Sequence, residues 1–154
     1  MGILSGILSF FGKVKTAGKL GSIIPKAKQI EIAQLADELK LLEDGKTEFD
    51  LIGITSNGTD CIYFIIENGK FQIEFEALTS EQVPYLESLI VFAGQNEFET
   101  EMTTYGNKPH YKLEEAPVLR IITNSPLDKT AEIGQRIQKE IFNNADNTKY
   151  DVVP

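Results

Sequence analysis

The stretch 61–77, CIYFIIENGKFQIEFEA, restricts the fold of this chain more than any other. Two runs of β-type residues flank Asn68-Gly69, the dipeptide that best tolerates the two positive φ angles of a type I′ turn. In the second run Phe71, Ile73, Phe75 and Ala77 alternate with Gln72, Glu74 and Glu76. That is the period-2 pattern of a half-buried antiparallel strand. The hairpin sets a fold class and names no function.

With 154 residues and 42% apolar content, the chain is long enough to bury the core of one domain. Its net charge of −8 is unevenly spread. Residues 1–30 hold five lysines (13, 15, 19, 26 and 28) and no acid, which leaves ten basic and 23 acidic groups in residues 31–154. A body that acidic repels phosphate backbones, which argues against nucleic acid and for basic or apolar partners. One cysteine, Cys61, excludes an intramolecular disulfide and fits a reducing, cytoplasmic setting. The apolar run at the start precedes its lysines, the reverse of a secretory signal. Position 6 is Gly, which departs from the myristoylation pattern.

Residues 1–24 read as an N-terminal amphipathic helix, and residues 25–154 as a single α+β domain. Ile3, Ile7, Phe10 and Val14 follow helical spacing, Leu4, Leu8 and Phe11 widen the stripe, and Lys13, Lys15 and Lys19 supply the charge. Five glycines, each costing about 1 kcal/mol relative to Ala, leave such a helix in need of a surface. That surface is either an anionic membrane, with the protein peripheral on the inner membrane face, or protein: its own domain or a second copy.

Pro25 starts a second helix over residues 26–43, with Ile30, Ala33, Leu35, Ala36, Leu39 and Leu42 on its apolar face and Gly45 as its stop. A three-strand meander follows. Residues 48–55 form its first strand, and Asn57-Gly58 reads as a second tight turn. Two-residue loops at both turns place Phe49, Leu51, Ile62, Phe64, Ile66, Phe71, Ile73 and Phe75 on the core face. The other face then carries Ile52, Ile54, Cys61, Tyr63 and Ile65 beside Gln72, Glu74 and Glu76. That is more apolar surface than a solvated face should hold.

Thr79 reads as the cap of a third helix, with Gln82 reaching back, Leu78 stapled to Val83, and Leu86, Leu89, Ile90 and Ala93 buried. Residues 98–105 and 118–123 read as two further strands. Ser125, Pro126 and Asp128 open a last helix that buries Ile133, Ile137 and Ile141. The expected architecture is an antiparallel sheet of about five strands with helices packed on one face, in the order α-βββ-α-ββ-α. The tail, with Tyr150, Val152 and Val153, docks on it.

Catalytic chemistry has little to work with. His110 is the only histidine, far in sequence from Cys61, so neither a His-rich metal site nor a Cys-His couple is expected. Glu74 and Glu76, like Glu99 and Glu101, stand two apart on a strand. Such pairs serve glycosidase chemistry or hold a cation, but a period-2 acid row is more often a solvated face or a recognition surface for basic residues. No phosphate-cradling glycine motif is present. The loop from Tyr105 to Tyr111 reads as a surface connection or a ligand-binding loop. The expectation is no catalytic residue, no metal and no cofactor.

The element order over residues 26–143, with strand pairs such as YFIIENGKFQIEFEAL, resembles the type III secretion chaperone-like fold of the YbjN-type and TY-Chap chaperone families. The resemblance implies a small acidic, non-enzymatic module, often a homodimer, that holds an extended partner segment on exposed apolar sheet and helix surface. The expected function is thus a chaperone-like or adaptor protein whose partner face includes Ile52, Ile54, Tyr63, Ile65, Glu74 and Glu76. The alternatives are a peripheral membrane protein anchored by residues 2–24 and an immunity-type inhibitor whose acidic face neutralises a basic toxin.

Overall fold

The computed structural model describes residues 28–104 and 116–154. Its centre is the anticipated hairpin. Strands β3 (Ile62–Glu67) and β4 (Lys70–Glu76) pair with Glu67 opposite Lys70, and Asn68 and Gly69 take φ values of 52° and 77°. Both lie in the left-handed region a type I′ turn requires.

With it, the described residues form a sheet of seven strands rather than about five. In chain order the elements are β1 (Gln29–Ile30), a 3-10 turn (Ile32–Gln34), α1 (Leu35–Glu43), β2 (Leu51–Thr55), β3, β4, α2 (Val83–Gln95), β5 (Glu99–Thr104), β6 (Pro117–Ser125), α3 (Leu127–Glu140) and β7 (Tyr150–Val153). The sheet order is β1-β7-β2-β3-β4-β6-β5, and every neighbouring pair is antiparallel. The fold is α+β, and the core joins the three helices to one face of the sheet.

The two additional strands come from segments read as helix and tail. Gln29 and Ile30 pair with Asp151 and Tyr150, so among the described residues of the helix expected over 26–43 the α-helix spans only Leu35–Glu43. Ile30 and Ile32 are both buried with Glu31 between them, a period of two that a helix cannot satisfy. Gln34 Oε1 accepts from the Glu31 amide at 2.8 Å, and Lys28 Nζ donates to the buried Glu38 of α1 at 2.7 Å. The stop at Gly45 is as expected: φ is 69°, and the amides of Gly45 and Lys46 donate to the carbonyls of Leu42 and Leu41.

The meander departs from expectation by one residue. Ile54 pairs with Ile62, Ile52 with Phe64, and Leu51 with Ile65, because the β2–β3 connection is longer than a two-residue turn. The cause is Asp60. Its buried carboxylate accepts from Thr55 Oγ1 at 2.7 Å, from the Ser56 amide at 2.8 Å, from Ser56 Oγ, and from Asn144 Nδ2 at 2.8 Å. Asn57 Oδ1 meanwhile accepts from the amides of Thr59 and Asp60. These bonds hold a wider loop, and a one-residue slip moves every side chain of β2 to the other face. Ile52 and Ile54 therefore enter the core at 3% and 0% exposure, while Phe49 lies outside it at 49%.

At the start of α2, Gln82 reaches back as expected, accepting from the amides of Leu78 and Thr79, and also donates to the Thr59 carbonyl; the helix itself opens at Val83, with Gln82 rather than Thr79 in the cap position. Val83 is 42% exposed, and Ile90 is 40% exposed, its expected place in the core taken by Phe92. In α3, Gly134 permits close approach: a Cβ there would lie 2.8 Å from Leu35 Cδ2 and from Phe64 Cζ. Ile133 and Ile137 are buried as expected, and Ile141 packs partly buried against the core.

Candidate functional site

The face of the sheet opposite the three described helices takes the alternate residues of each strand. Val153 stands opposite Gly53, Gly53 opposite Tyr63, Tyr63 opposite Glu74, Glu74 opposite Arg120, and Arg120 opposite Glu101. This row runs unbroken from β7 to the edge strand β5. Beside it lie Leu51, Ile65 and Gln72 on one flank, and Glu76, Val118 and Thr103 on the other.

The face is graded in chemistry. Cys61, Tyr63 and Val153 form an apolar cluster at 6%, 5% and 3% exposure, with Leu51 packed against it. A Cβ at Gly53 would lie 2.7 Å from Val153 Cγ2 and 2.8 Å from the Tyr63 ring, so a side chain there would displace the ring or the valine. The absence of a side chain at 53 makes the tyrosine part of a floor instead of a projection. Toward β4, β6 and β5 the face becomes acidic, with Glu67, Glu74, Glu76, Glu99 and Glu101, and Asp151 stands at the far side on β7.

Against these six carboxylates the described face sets two cations, Lys70 and Arg120. Arg120 donates from Nε to Glu74 Oε2 at 2.8 Å and from Nη1 to Glu67 Oε1 at 2.5 Å. It neutralises the centre of the row and leaves Glu99 and Glu101 exposed on β5. A bulge lies alongside. Between the pairs Phe71–Ser125 and Ile73–Ile121 the β6 strand carries surplus residues, and Gln72 fills the gap with bonds to the Asn124 side chain and amide.

Of the residues expected on a partner face, the structure gathers Tyr63, Ile65, Glu74 and Glu76 on this surface and removes Ile52 and Ile54 to the core. Ile3, Leu4, Ile7, Leu8, Phe10, Phe11, Lys13, Val14, Lys15 and Lys19 lie outside the described residues, as do Tyr105, His110 and Tyr111. Leu51, Gly53, Arg120, Val153 and Ile122, which stands opposite Glu99, were not expected there. Leu51 and Gly53 follow from the one-residue slip. Val153 depends on a strand pairing that spans most of the chain, and Arg120 could have been found from its alternation with Leu119 and Ile121 in β6.

Burial pushes the Cys61 thiol up to about 12, opposite to the shift a nucleophile needs. Glu74 is held by Arg120, and among the described residues no group of three or more His, Cys, Asp and Glu is placed to hold a metal ion. No described helix is long and apolar enough to cross a membrane. A groove of about 490 Å³ between α2 and α3 is lined by Val91, Phe92 and Ile141 with Glu87 and Glu140 at its sides, and Glu140 is already bonded to Arg136. Comparison with family models, with curated proteins and with solved structures gives no match, so any reading of function rests on this face.

Proposed function

We propose that the chain is a non-enzymatic protein-binding module, chaperone-like or adaptor in kind, that holds a basic, partly apolar polypeptide segment on the second face of its sheet. The observation that carries this reading is the graded row from Val153 and Tyr63 to Glu74 and Glu101. Leu51 and Ile65, both only partly buried, offer apolar area that gains from leaving water beside the buried Tyr63 floor, and the acidic half selects positive charge and steers its approach. The raised Cys61 thiol and the paired Glu74 support a non-catalytic role. The resemblance to type III secretion chaperone-like proteins points the same way.

The test is titration calorimetry of the full chain with a synthetic Lys-rich amphipathic peptide and with its Glu-for-Lys counterpart. The basic peptide binds, more weakly as salt rises, and the acidic one does not. Glu74→Lys with Glu101→Lys lowers the affinity about tenfold or more, the scale of a reversed charge pair. Equal binding of both peptides, or no loss in the double variant, removes the reading.

A further inference from the structure

We propose that Asn68-Gly69, at the tip of the central hairpin, is a site of spontaneous deamidation, and that the Asp60 loop protects the second such pair, Asn57-Gly58, from the same reaction. This chemistry holds whether or not the sheet face binds a partner.

Both pairs carry the same reactive groups. Glycine has no Cβ, so its amide nitrogen reaches the side chain of the preceding asparagine without a steric clash. After losing its proton to hydroxide, the Gly69 nitrogen attacks Asn68 Cγ and forms a C–N bond. The bond from Cγ to the side-chain nitrogen breaks, and that nitrogen takes a proton from water and leaves as ammonia. Water then opens the resulting succinimide ring. Cleavage of the new Cγ–N bond gives aspartate. Cleavage at the main-chain carbonyl gives isoaspartate, in which the chain runs on through Cγ.

The two pairs differ in what already holds the reacting atoms. Asn57 Oδ1 accepts from the Thr59 amide and hydroxyl, both at 2.9 Å, and from the Asp60 amide at 3.1 Å. The Gly58 amide, which would make the attack, donates to Thr55 Oγ1 at 2.8 Å. Thr55 in turn donates to the buried Asp60 carboxylate. Cyclisation at Asn57 has to break these bonds. Asn68 and Gly69 are both exposed, and among the described residues neither the Asn68 side chain nor the Gly69 amide is hydrogen-bonded. Bringing their atoms together requires rotation about the Asn68 ψ angle, which at an exposed tip takes local opening only. Either product adds a carboxylate next to Glu67, at the acidic half of the face. Isoaspartate also adds a main-chain atom to the two-residue turn that sets Glu67 opposite Lys70.

The test incubates the full chain at mildly alkaline pH, in native buffer and in concentrated urea, and follows each asparagine by peptide mapping with mass spectrometry. In native buffer Asn68 converts about tenfold faster than Asn57 or more, because several bonds must break at Asn57. In urea the two rates converge. Equal native rates, faster loss at Asn57, or an Asn68 that stays intact in native buffer overturns the proposal. So does a rate ratio as large in urea as in buffer, which would assign the difference to the neighbouring residues instead of the fold. The isoaspartate form, separated by ion exchange, should unfold at a lower urea midpoint than the unconverted chain. An equal midpoint would overturn the effect assigned to the turn.

Discussion

Ile54 stands directly opposite Ile62 across β2 and β3, and this pairing decides which residues of the meander face the helices. Both are fully buried, while Ile65, on the opposite face, is half-buried. Ile54→Ala should cost about 2–5 kcal/mol through loss of buried surface and a residual cavity. Ile65→Ala should cost under about 1.5 kcal/mol, as a partly exposed side chain loses less on truncation. Urea unfolding of the two variants checks the face assignment. Similar losses would contradict it.

Asp60 secures that pairing from below. Burial pushes its carboxyl up, but the bonds from Ser56, Thr55 and Asn144 outweigh this and hold its pKa below the ordinary carboxylate value. A depressed folded pKa contributes stability that is present above the unfolded value of about 3.9 and is lost as pH falls through the folded one. Asp60→Ala leaves several donors without their acceptor and should cost about 2–4 kcal/mol. The variant's urea midpoint should also fall less steeply than the parent's below about pH 4. Parallel acid profiles would remove Asp60 from the account.

Tyr150 sets the opposite limit. Burial pushes its phenol up to about 12, above its ordinary value of about 10. The contribution is complete below the unfolded value and is lost as pH rises through the folded one. Stability should thus decline between about pH 10 and 12, more steeply than in Tyr150→Phe. Denaturation series at pH 8, 10 and 11, with tyrosinate absorbance followed in parallel, provide the comparison.

Gly134 brings α3 against α1 and the sheet. In an exposed helix, Gly→Ala would stabilise by about 1 kcal/mol through propensity. Here the new methyl meets Leu35 and Phe64 at 2.8 Å, and Phe64 is fully buried. Overpacking should prevail, giving a net loss of about 1–3 kcal/mol. A thermal midpoint above the parent's would show that the helix can move outward without penalty.

Arg120 lies between Glu67 and Glu74 and is partly exposed. Arg120→Ala should cost about 1 kcal/mol or less, since solvent screens the pair, with the difference shrinking at high salt. The same change strips a cation from the acidic half of the face. Affinity for a Lys-rich peptide should then rise, by about tenfold or less. Weaker binding would mean that Arg120 itself contacts the partner.

Much of this molecule is local, and to that extent its sequence suffices. Asn68-Gly69 specifies a two-residue hairpin because few dipeptides accept two positive φ angles. Gly45 ends α1, and the alternation in β4 separates Phe71, Ile73 and Phe75 from Gln72, Glu74 and Glu76. Both depend on interactions within a few residues. The tertiary structure decided the rest. Gln29 and Asp151 pair across 122 residues, so nothing near either one marks it as a strand. Asn57-Gly58 looked like a tight turn because the Asp60 network that widens the loop draws on Asn144, from beyond α3. Side chains on a strand alternate with a period of two, so the wider loop moved Ile52 and Ile54 to the core and left Leu51, Gly53 and Tyr63 to build the other face.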